Sequence, residues 1–276
     1  MSSFYCEIPL DSDLQIVYYT SLATMGLATL VFLALWIWKY YSTSIATLKA
    51  NKDSVIVCKH ACVQHKGCDV QHLLKYENRY ALVERVCDLS YTSITYGFII
   101  FLLNTILYAV LLMEQGTIYN ETLDLCVPWA RWVVYTLSCT LLAYEIAEFQ
   151  KMERRVKYVF VLTIGITLLT GAFSVLSVES LINRWIWFII GGVTYLVALF
   201  LLFAFSDPCC KLDKFIPWVL PIFVLLTWTI YPIAYILGPN LLAVFGLTVE
   251  SWIYYAGDLI TKVFFGYYIA RVHGVY

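Results

Sequence analysis

The hydrophobic pattern divides the chain into seven apolar stretches that are separated by polar segments. A helix needs about 20 consecutive apolar residues to cross the hydrocarbon core of a bilayer, and each stretch is about that long. The stretches cover residues 16–40, 89–113, 127–149, 157–178, 184–206, 216–238 and 249–270. We therefore predict an all-α membrane protein, a seven-helix bundle at 16–271 between a tail at 1–15 and an end at 272–276.

Composition agrees with a membrane protein. The 276 residues are 61% hydrophobic and 13% charged, and the mean hydropathy is +0.76. A net charge of −1 gives no attraction to nucleic acid, so we expect no nucleic-acid partner. Residues 1–15 hold no Lys or Arg, so we expect no cleavable signal peptide. No constellation typical of an enzyme appears, and we expect neither catalysis nor an effector domain after the seventh stretch.

Basic residues indicate how the bundle is oriented. Eight Lys and Arg residues lie between Lys39 and Arg85, and four more lie at 151–157, whereas the opposite loops carry almost none. Positive charge concentrates on the cytoplasmic side, which predicts an outside N-terminus and an inside C-terminus, in a plasma membrane. A glycosylation sequon at Asn120 falls on the predicted outside and agrees with this orientation.

Two ionisable residues in the seventh stretch, Asp258 and Lys262, are candidates for a functional site. Burying an ionisable group within a membrane has a high free-energy cost, so such a group indicates a function. The i, i+4 spacing places both residues on one helical face. A buried lysine loses its proton readily and can form an imine with an aldehyde, and Asp258 would neutralise the resulting cation. The alternative is a buried salt bridge that locks helix packing.

The sixth stretch has an aromatic face. Trp228, Tyr231 and Tyr235 recur at helical spacing, and Pro232 interrupts the backbone hydrogen bonding behind them. Such a stripe usually serves packing, but here it accompanies a buried lysine and acid. The pattern therefore predicts an aromatic wall near Lys262.

Together these features resemble the microbial (type I) rhodopsins. The resemblance rests on Asp258-x-x-x-Lys262 in the seventh stretch, Trp228-x-x-Tyr231-Pro232 in the sixth and Trp129-Ala130-Arg131 in the third. It implies that Lys262 carries all-trans retinal as a protonated Schiff base, with Asp258 as the counterion. The residues that it implies around the retinal are Tyr135, Ser138, Cys139, Leu142, Trp228, Tyr231, Pro232 and Tyr235.

The third stretch decides which activity the resemblance implies. Proton pumps of this family carry an acid three residues after the arginine, and this chain has Val134 there, so the standard outward proton route is broken. Glu145 stands at the position of the cytoplasmic proton donor and could be a proton relay or an inner gate. The chain resembles the channelrhodopsins more closely, because many of them carry a gating cysteine at the position of Cys139. The entry from Pro128 to Arg131 resembles their anion-conducting branch.

The second stretch favours anions. It has no acid between Asp88 and Glu114, whereas rings of carboxylates favour cations. Hydroxyl and amide groups can solvate an anion, although the same groups also serve helix packing. We expect Arg131 to complement Asp258, or else to snorkel at the membrane interface. The candidate residues of an ion pathway are Ser90, Ser93, Asn104, Arg131 and Glu145.

These inferences predict a light-gated channel for chloride or other small ions. We expect it to be surrounded by membrane lipids and to assemble as a homo-oligomer, a dimer or a trimer. Three alternatives stay open: a light-driven ion pump, a cation-conducting channelrhodopsin, and a non-transporting photosensory rhodopsin similar to the heliorhodopsins.

A long cytoplasmic loop is predicted at 41–86, and it is rich in cysteine and histidine. Zinc suits such ligands, and the candidates are Cys58, His60, Cys62, His65 and Cys68. Their spacing matches no established zinc pattern, and the alternative is a set of reduced thiols on a basic segment against the inner leaflet. On the outside, Cys6 and Cys126 could form a disulfide, or Cys6 could bridge to a second protomer.

Overall fold

The computed structural model describes residues 11–49, 79–120, 125–150, 152–205 and 216–272. Within these residues, five spans are single helices: α1 (Ser12–Lys49), α2 (Arg79–Leu112), α3 (Trp129–Phe149), α4 (Arg154–Leu176) and α5 (Leu181–Ala204). The sixth span consists of α6 (Ile216–Trp228) and α7 (Ile230–Leu237). The seventh consists of α8 (Leu247–Asp258), a π-helical segment (Leu259–Phe264) and α9 (Phe265–Val272). The predicted seven-helix architecture is confirmed.

The helices pack in chain order around a shared interior. α1 packs against α2, α2 against α3, α3 against α4, and α4 against α5. The ring continues through α5 with α6 and α7 with α8, and it closes where α8 meets α1 and α9 meets α2. Side chains from stretches far apart in sequence therefore face one common interior.

The outer faces of the helices suit a lipid environment. Leu196 and Phe200 on α5, for example, are each 65% exposed. By length and composition, α1, α2, α4, α5 and the sixth span can each cross a membrane. α3 and the seventh span instead carry buried ionisable side chains, which membrane helices direct toward the interior of a bundle. The chain is an integral membrane protein.

The segment between the first two spans is more helical than predicted. α1 continues to Lys49 and α2 begins at Arg79, so helix occupies both ends of the predicted 41–86 loop. The 38 residues of α1 extend about 57 Å at 1.5 Å per residue, well beyond the roughly 30 Å of a hydrocarbon core. A helix can continue beyond the membrane, so the cytoplasmic segment at 41–86 stays a prediction. The candidate zinc ligands Cys58, His60, Cys62, His65 and Cys68 lie outside the described residues.

Two short strands, which the hydrophobic pattern did not predict, join α2 to α3. β1 (Ile118–Asn120) and β2 (Leu125–Val127) pair antiparallel, and we call this side of the bundle the hairpin end. Fully buried Arg184, at the start of α5, ties several elements together there.

Arg184 makes four hydrogen bonds at the hairpin end. Its Nη2 donates to Asn120 Oδ1 at 2.7 Å and to the Val178 carbonyl at 2.9 Å. Its Nε donates to the Ser177 carbonyl at 3.0 Å, and its Nη1 donates to the Asn240 carbonyl at 3.4 Å. One side chain thus connects β1, the end of α4 and the loop after α7.

The surroundings of Asn120 mean that the glycosylation sequon no longer supports the predicted orientation. The side chain is 1% exposed and its amide oxygen binds Arg184, so the folded protein does not present it for glycosylation. Positive charge alone supports the predicted orientation. Cys126 on β2 is disulfide-bonded, and the suggested partner Cys6 lies outside the described residues.

Two departures from regular α-helix lie beside the interior. Thr229 separates α6 from α7, three residues before Pro232. Proline has no backbone N–H, so the Trp228 carbonyl does not receive the usual helical hydrogen bond from residue 232. The second departure is the π-helical segment, which contains Lys262. Single π-helical turns occur frequently at functional sites.

Candidate functional site

A buried ion pair lies at the centre of the bundle. Lys262 Nζ lies 2.5 Å from Asp258 Oδ1, and the side chains of both residues are fully buried. Lys262 Nζ also donates to Asn104 Oδ1 on α2 at 3.0 Å. The same nitrogen lies 3.8 Å from the centre of the Tyr135 ring, within range of a cation–π interaction.

Three tyrosines from three helices surround the other side of the pair. Tyr108 and Tyr135 each donate a hydrogen bond to Asp258 Oδ2 at 2.8 Å. Tyr231 donates to Asp258 Oδ1 at 2.9 Å. With Lys262, each carboxylate oxygen accepts two donors, which fills its two lone-pair positions. Tyr108 was not predicted, because it lies within the apolar run of α2.

An apolar cavity lies beside this ion pair. It has an empty volume of about 830 Å³, including its open side. The predicted residues that line it are Tyr135, Cys139, Leu142, Trp228, Tyr231, Pro232 and Tyr235. The structure adds Trp132, Ile164, Thr167, Leu168, Gly171, Phe188, Gly191, Gly192, Tyr195 and Thr261. The wall from α4 and α5 was not predicted, because those helices show no distinctive motif.

The cavity and the ion pair share residues. Tyr135 and Tyr231 line the cavity and also bind Asp258, and Thr261 adjoins Lys262 in the chain. The cavity therefore suits an apolar molecule with a reactive end at the lysine. Ser138, which was predicted here, is fully buried but does not line the cavity, and its Oγ has no hydrogen-bond partner among the described residues.

The packing between α3 and α4 depends on a glycine. A Cβ at Gly171 would lie 2.6 Å from Cε3 of Trp132, closer than real Cβ atoms approach. The Trp132 ring then meets Tyr235 edge to face, with ring centres 5.1 Å apart. Gly171 thus allows Trp132 to form one wall of the cavity.

Arg131 does not contact Asp258 directly, and charge complementarity between the two residues stays a prediction. Arg131 Nη2 donates to Ser251 Oγ at 3.1 Å, and its guanidinium lies 4.7 Å from the centre of the Tyr254 ring. No hydrogen bond or ion pair joins Arg131 to Asp258 in the described part of the chain, because tyrosines and Lys262 occupy both carboxylate oxygens. Arg131 is 1% exposed, so it does not snorkel at the interface either.

A second buried acid, which was not predicted, lies toward the hairpin end. Glu250 on α8 is 1% exposed, and its Oε1 accepts a hydrogen bond from Asn240 at 3.1 Å. A Cβ at Gly238 would lie 2.9 Å from the Glu250 carboxyl carbon, so this glycine leaves room for the acid. An acid 12 residues before Lys262 was visible in the sequence, but its position near the start of α8 resembled a surface residue.

The predicted pathway residues occupy different surroundings. Ser93 and Asn104 on α2 are buried, and Asn104 reaches Lys262, whereas the side chain of Ser90 lies outside the described residues. Glu145 on α3 is 4% exposed, and its Oε1 has no partner within the described ranges. Arg131, Ser138 and Glu145 recur every seven residues and so share one face of α3.

Glu148 lies near the end of α3. It pairs with Lys157 at the start of α4. Of the residues that the structure describes, none form a cluster of His, Cys, Asp and Glu that could hold a metal ion.

Comparison with known proteins identifies this arrangement. A family model described as bacteriorhodopsin-like protein matches residues 80–274. Halorhodopsin from Halorubrum sodomense is 26% identical over 151 residues, which cover 54% of this chain and 53% of that protein. Archaerhodopsin-3 from the same organism is 27% identical over 169 residues, which cover 59% of this chain and 64% of that protein. The chain thus spans between about half and two thirds of the length of these curated relatives.

Solved structures share the fold over nearly the whole chain. The light-driven proton pump Coccomyxa subellipsoidea rhodopsin has a TM-score of 0.69 at 17% identity, covering 95% of this chain and 98% of that one. Bromide-bound halorhodopsin from Halobacterium salinarum has a TM-score of 0.68 at 17% identity, covering 94% and 93%. At these identities, the likeness shows the fold.

Proposed function

The chain belongs to the bacteriorhodopsin-like family of microbial rhodopsins, and on that basis we propose that it is a light-gated channel that conducts anions. The family binds retinal, and we propose the all-trans isomer on Lys262. The aromatic cavity supports this assignment, because it is apolar and adjoins the one buried lysine among the described residues. When bound, retinal supplies the absorption of light and a light-driven change of its own shape.

The protein's own residues have distinct parts in this proposal. Lys262 Nζ provides the attachment point, and Asp258 balances its positive charge. Trp132, Trp228 and Tyr235 line the cavity with rings that confine a flat apolar ligand and keep water away from it. The residues present therefore fit the chemistry of retinal.

The carboxylate of Asp258 already accepts its full set of hydrogen bonds, and this observation favours a channel over a proton pump. Both oxygens of Asp258 already accept two donors each, and Val134 cannot accept a proton. No other acid contacts Lys262 in the described part of the chain. A pump that exports protons needs an acceptor at this point, whereas a passive channel needs none.

The charges along the interior support anions as the permeant ions. α2 carries no acid from Thr92 to Leu112, and it contributes buried Ser93 and Asn104 instead. Arg131 adds a buried positive charge toward the hairpin end. Rings of acids favour cations in channels, so their absence from this part of α2 removes a barrier to chloride.

A light-driven anion pump is the second candidate. It is supported by the similarity to halorhodopsin and by the shared fold with a bromide-bound halorhodopsin. Ser138 offers a buried hydroxyl without a partner in the described residues, on the α3 face that also carries Arg131. A hydroxyl can donate a hydrogen bond to a halide.

Photocurrent measured against voltage tests the channel. We expect a stationary light-induced current that reverses near the chloride equilibrium potential. Replacing external chloride by a large impermeant anion should shift the reversal potential of this current, and replacing sodium should not. Membranes with Lys262→Ala provide the control without bound retinal.

Each other outcome rejects part of the proposal. A current that keeps its sign over a wide voltage range identifies a pump. A reversal potential that follows protons, sodium or potassium rejects anion selectivity. No current from membranes that contain the coloured, folded protein identifies a sensor.

The predicted surroundings also belong to this proposal. We place the N-terminus outside and the C-terminus inside a plasma membrane, because positive charge concentrates between Lys39 and Arg85. The partners are membrane lipids, chloride or other small ions, and further copies of the chain in a dimer or trimer. We assign the protein no enzymatic activity.

A further inference from the structure

Two phenylalanines pack together where α1, α2 and α9 meet. The ring centres of Phe32 on α1 and Phe101 on α2 lie 4.8 Å apart. These residues are 4% and 1% exposed, whereas Leu30 and Ile106 on the same two helices are exposed on the outer surface. The two rings, which we call the aromatic layer, therefore lie between the helices rather than against lipid.

Two glycines make room for the aromatic layer. A Cβ at Gly97 on α2 would lie 2.5 Å from Cε1 of Phe32, closer than real Cβ atoms approach. A Cβ at Gly266 on α9 would lie 3.3 Å from Cζ of Phe101. Because neither glycine has a side chain, the two rings fill the space between three helices.

Polar side chains lie on the side of the aromatic layer toward the hairpin end. Asn104, three residues after Phe101, is fully buried and accepts the hydrogen bond from Lys262. The hydroxyl of the next residue, Thr105, is hydrogen-bonded to that of Thr29 on α1 at 2.9 Å. The polar surroundings of Lys262 thus reach the aromatic layer from this side.

Polar side chains recur on the opposite side of the aromatic layer. Trp36 lies one turn farther along α1, and its Nε1 donates to Thr95 Oγ1 on α2 at 3.2 Å. Ser93 is buried on the same part of α2. Ser93, Gly97 and Phe101 recur every four residues and so share one face of α2. Along this face, a polar position is therefore followed by the space at the glycine and then by an aromatic ring.

We propose that the aromatic layer is a hydrophobic gate, which separates the two sets of polar groups until light opens the channel. This gate rests on the proposed channel function. An anion that enters an apolar layer gives up its hydration without gaining hydrogen-bond donors, which is unfavourable. Hydrophobic constrictions in channels stop ions in this way, by excluding water.

The attachment residue is close enough to act on this gate. Gly266 follows Lys262 by four residues, just after the π-helical segment, and it borders the Phe101 ring. Asn104 lies one turn from Phe101 and is hydrogen-bonded to Lys262. A displacement of Lys262 therefore acts on Phe101 from both α9 and α2.

The chloride conductance of voltage-clamped membranes in the dark tests the gate. Phe101→Ser places a hydroxyl in the aromatic layer, whereas Phe101→Leu removes the ring and keeps the position apolar. We expect the dark conductance of Phe101→Ser to exceed that of Phe101→Leu by about tenfold, which corresponds to about 1.4 kcal/mol of preference for the closed state. The dark current of Phe101→Ser should reverse near the chloride equilibrium potential.

A pair of glycine variants tests the gate without adding a polar group. Gly97→Ala forces the Phe32 ring out of its place, whereas a Cβ at Gly26 on α1 would lie 3.9 Å from Thr105 Cγ2, an ordinary contact. We expect Gly97→Ala to raise the dark conductance and Gly26→Ala to leave it unchanged. Phe160→Ala, which removes a buried ring from α4, controls for lost packing and should also leave it unchanged.

The visible band of the retinal-supplied protein shows which variants are folded, and the glycine pair decides the outcome if Phe101→Ser lacks this band. Equal dark conductance within either pair of folded variants would overturn the gate. A dark current from Phe160→Ala as large as that from Phe101→Ser would overturn it as well. In both cases a normal photocurrent from the unaltered protein would leave the channel standing. Absence of photocurrent from the unaltered, coloured protein would instead reject the proposed function, and the gate with it.

Discussion

Lys262 Nζ donates a hydrogen bond to Asn104 Oδ1 at 3.0 Å, so α2 supplies a neutral oxygen beside the buried lysine. The amide is oriented by its own nitrogen, which donates to the Ile100 carbonyl at 2.7 Å. A carboxylate at this place would give Lys262 a second anion and a possible proton acceptor. The amide gives Lys262 a hydrogen bond but neither a second anion nor a proton acceptor.

The first prediction follows from this contact. Asn104→Asp should move the visible band of the retinal-supplied protein to shorter wavelength, because a second negative charge stabilises the positive nitrogen before light is absorbed. Asn183→Asp, at an exposed position on α5, is the matched control and should leave the band in place. An identical spectrum for both variants would contradict a contact between Asn104 and the chromophore site.

A second prediction concerns the attachment residue. Lys262→Ala should abolish visible absorption, because no other lysine among the described residues is buried next to the cavity. Lys157→Ala, which removes the partner of Glu148 and a cation over the Tyr144 ring, should keep the full band. The absorption spectra of both purified variants after addition of retinal provide the measurement. A visible band of unchanged size in Lys262→Ala would end the retinal assignment.

Two glycines that line the cavity should respond differently to the same substitution. A Cβ at Gly171 would lie 2.6 Å from the Trp132 ring, whereas a Cβ at Gly192 would meet no atom within 4 Å. Gly171→Ala should therefore displace Trp132, slow the uptake of retinal and shift the band. Gly192→Ala should do neither. Stopped-flow absorption after addition of retinal measures both effects, and equal rates would show that Trp132 does not define the cavity.

The hydrogen bonds of Arg184 predict a large loss of stability at the hairpin end. Arg184→Ala removes four donors and leaves buried acceptors, including the Asn240 carbonyl, without their partner. Hydrogen bonds to charged groups contribute roughly 1.5–3 kcal/mol each, so we expect a loss of at least about 3 kcal/mol. Arg155→Ala changes an exposed residue and should have little effect. Unfolding in detergent by a denaturant measures the difference, and similar midpoints would contradict the structural role of Arg184.

Local features of the sequence determined the spans and part of the site. The length of the apolar stretches predicted seven helices, because a bilayer sets a minimum length for each. Helical periodicity placed Asp258 with Lys262 and aligned Trp228, Tyr231 and Tyr235, since residues three, four or seven apart share a face. Contacts within one helix depend only on spacing, and spacing is visible in the sequence.

Only the tertiary structure decided which helices complete the site. Tyr108 reaches Asp258 across 150 positions of the chain, and α4 and α5 form a wall of the cavity without any motif. The tertiary structure also directs Arg131 toward Ser251 rather than Asp258, and it buries Asn120 against Arg184. Such contacts depend on how helices rotate and pack against one another. That packing is set by the shapes of many side chains together, which no single stretch of sequence specifies.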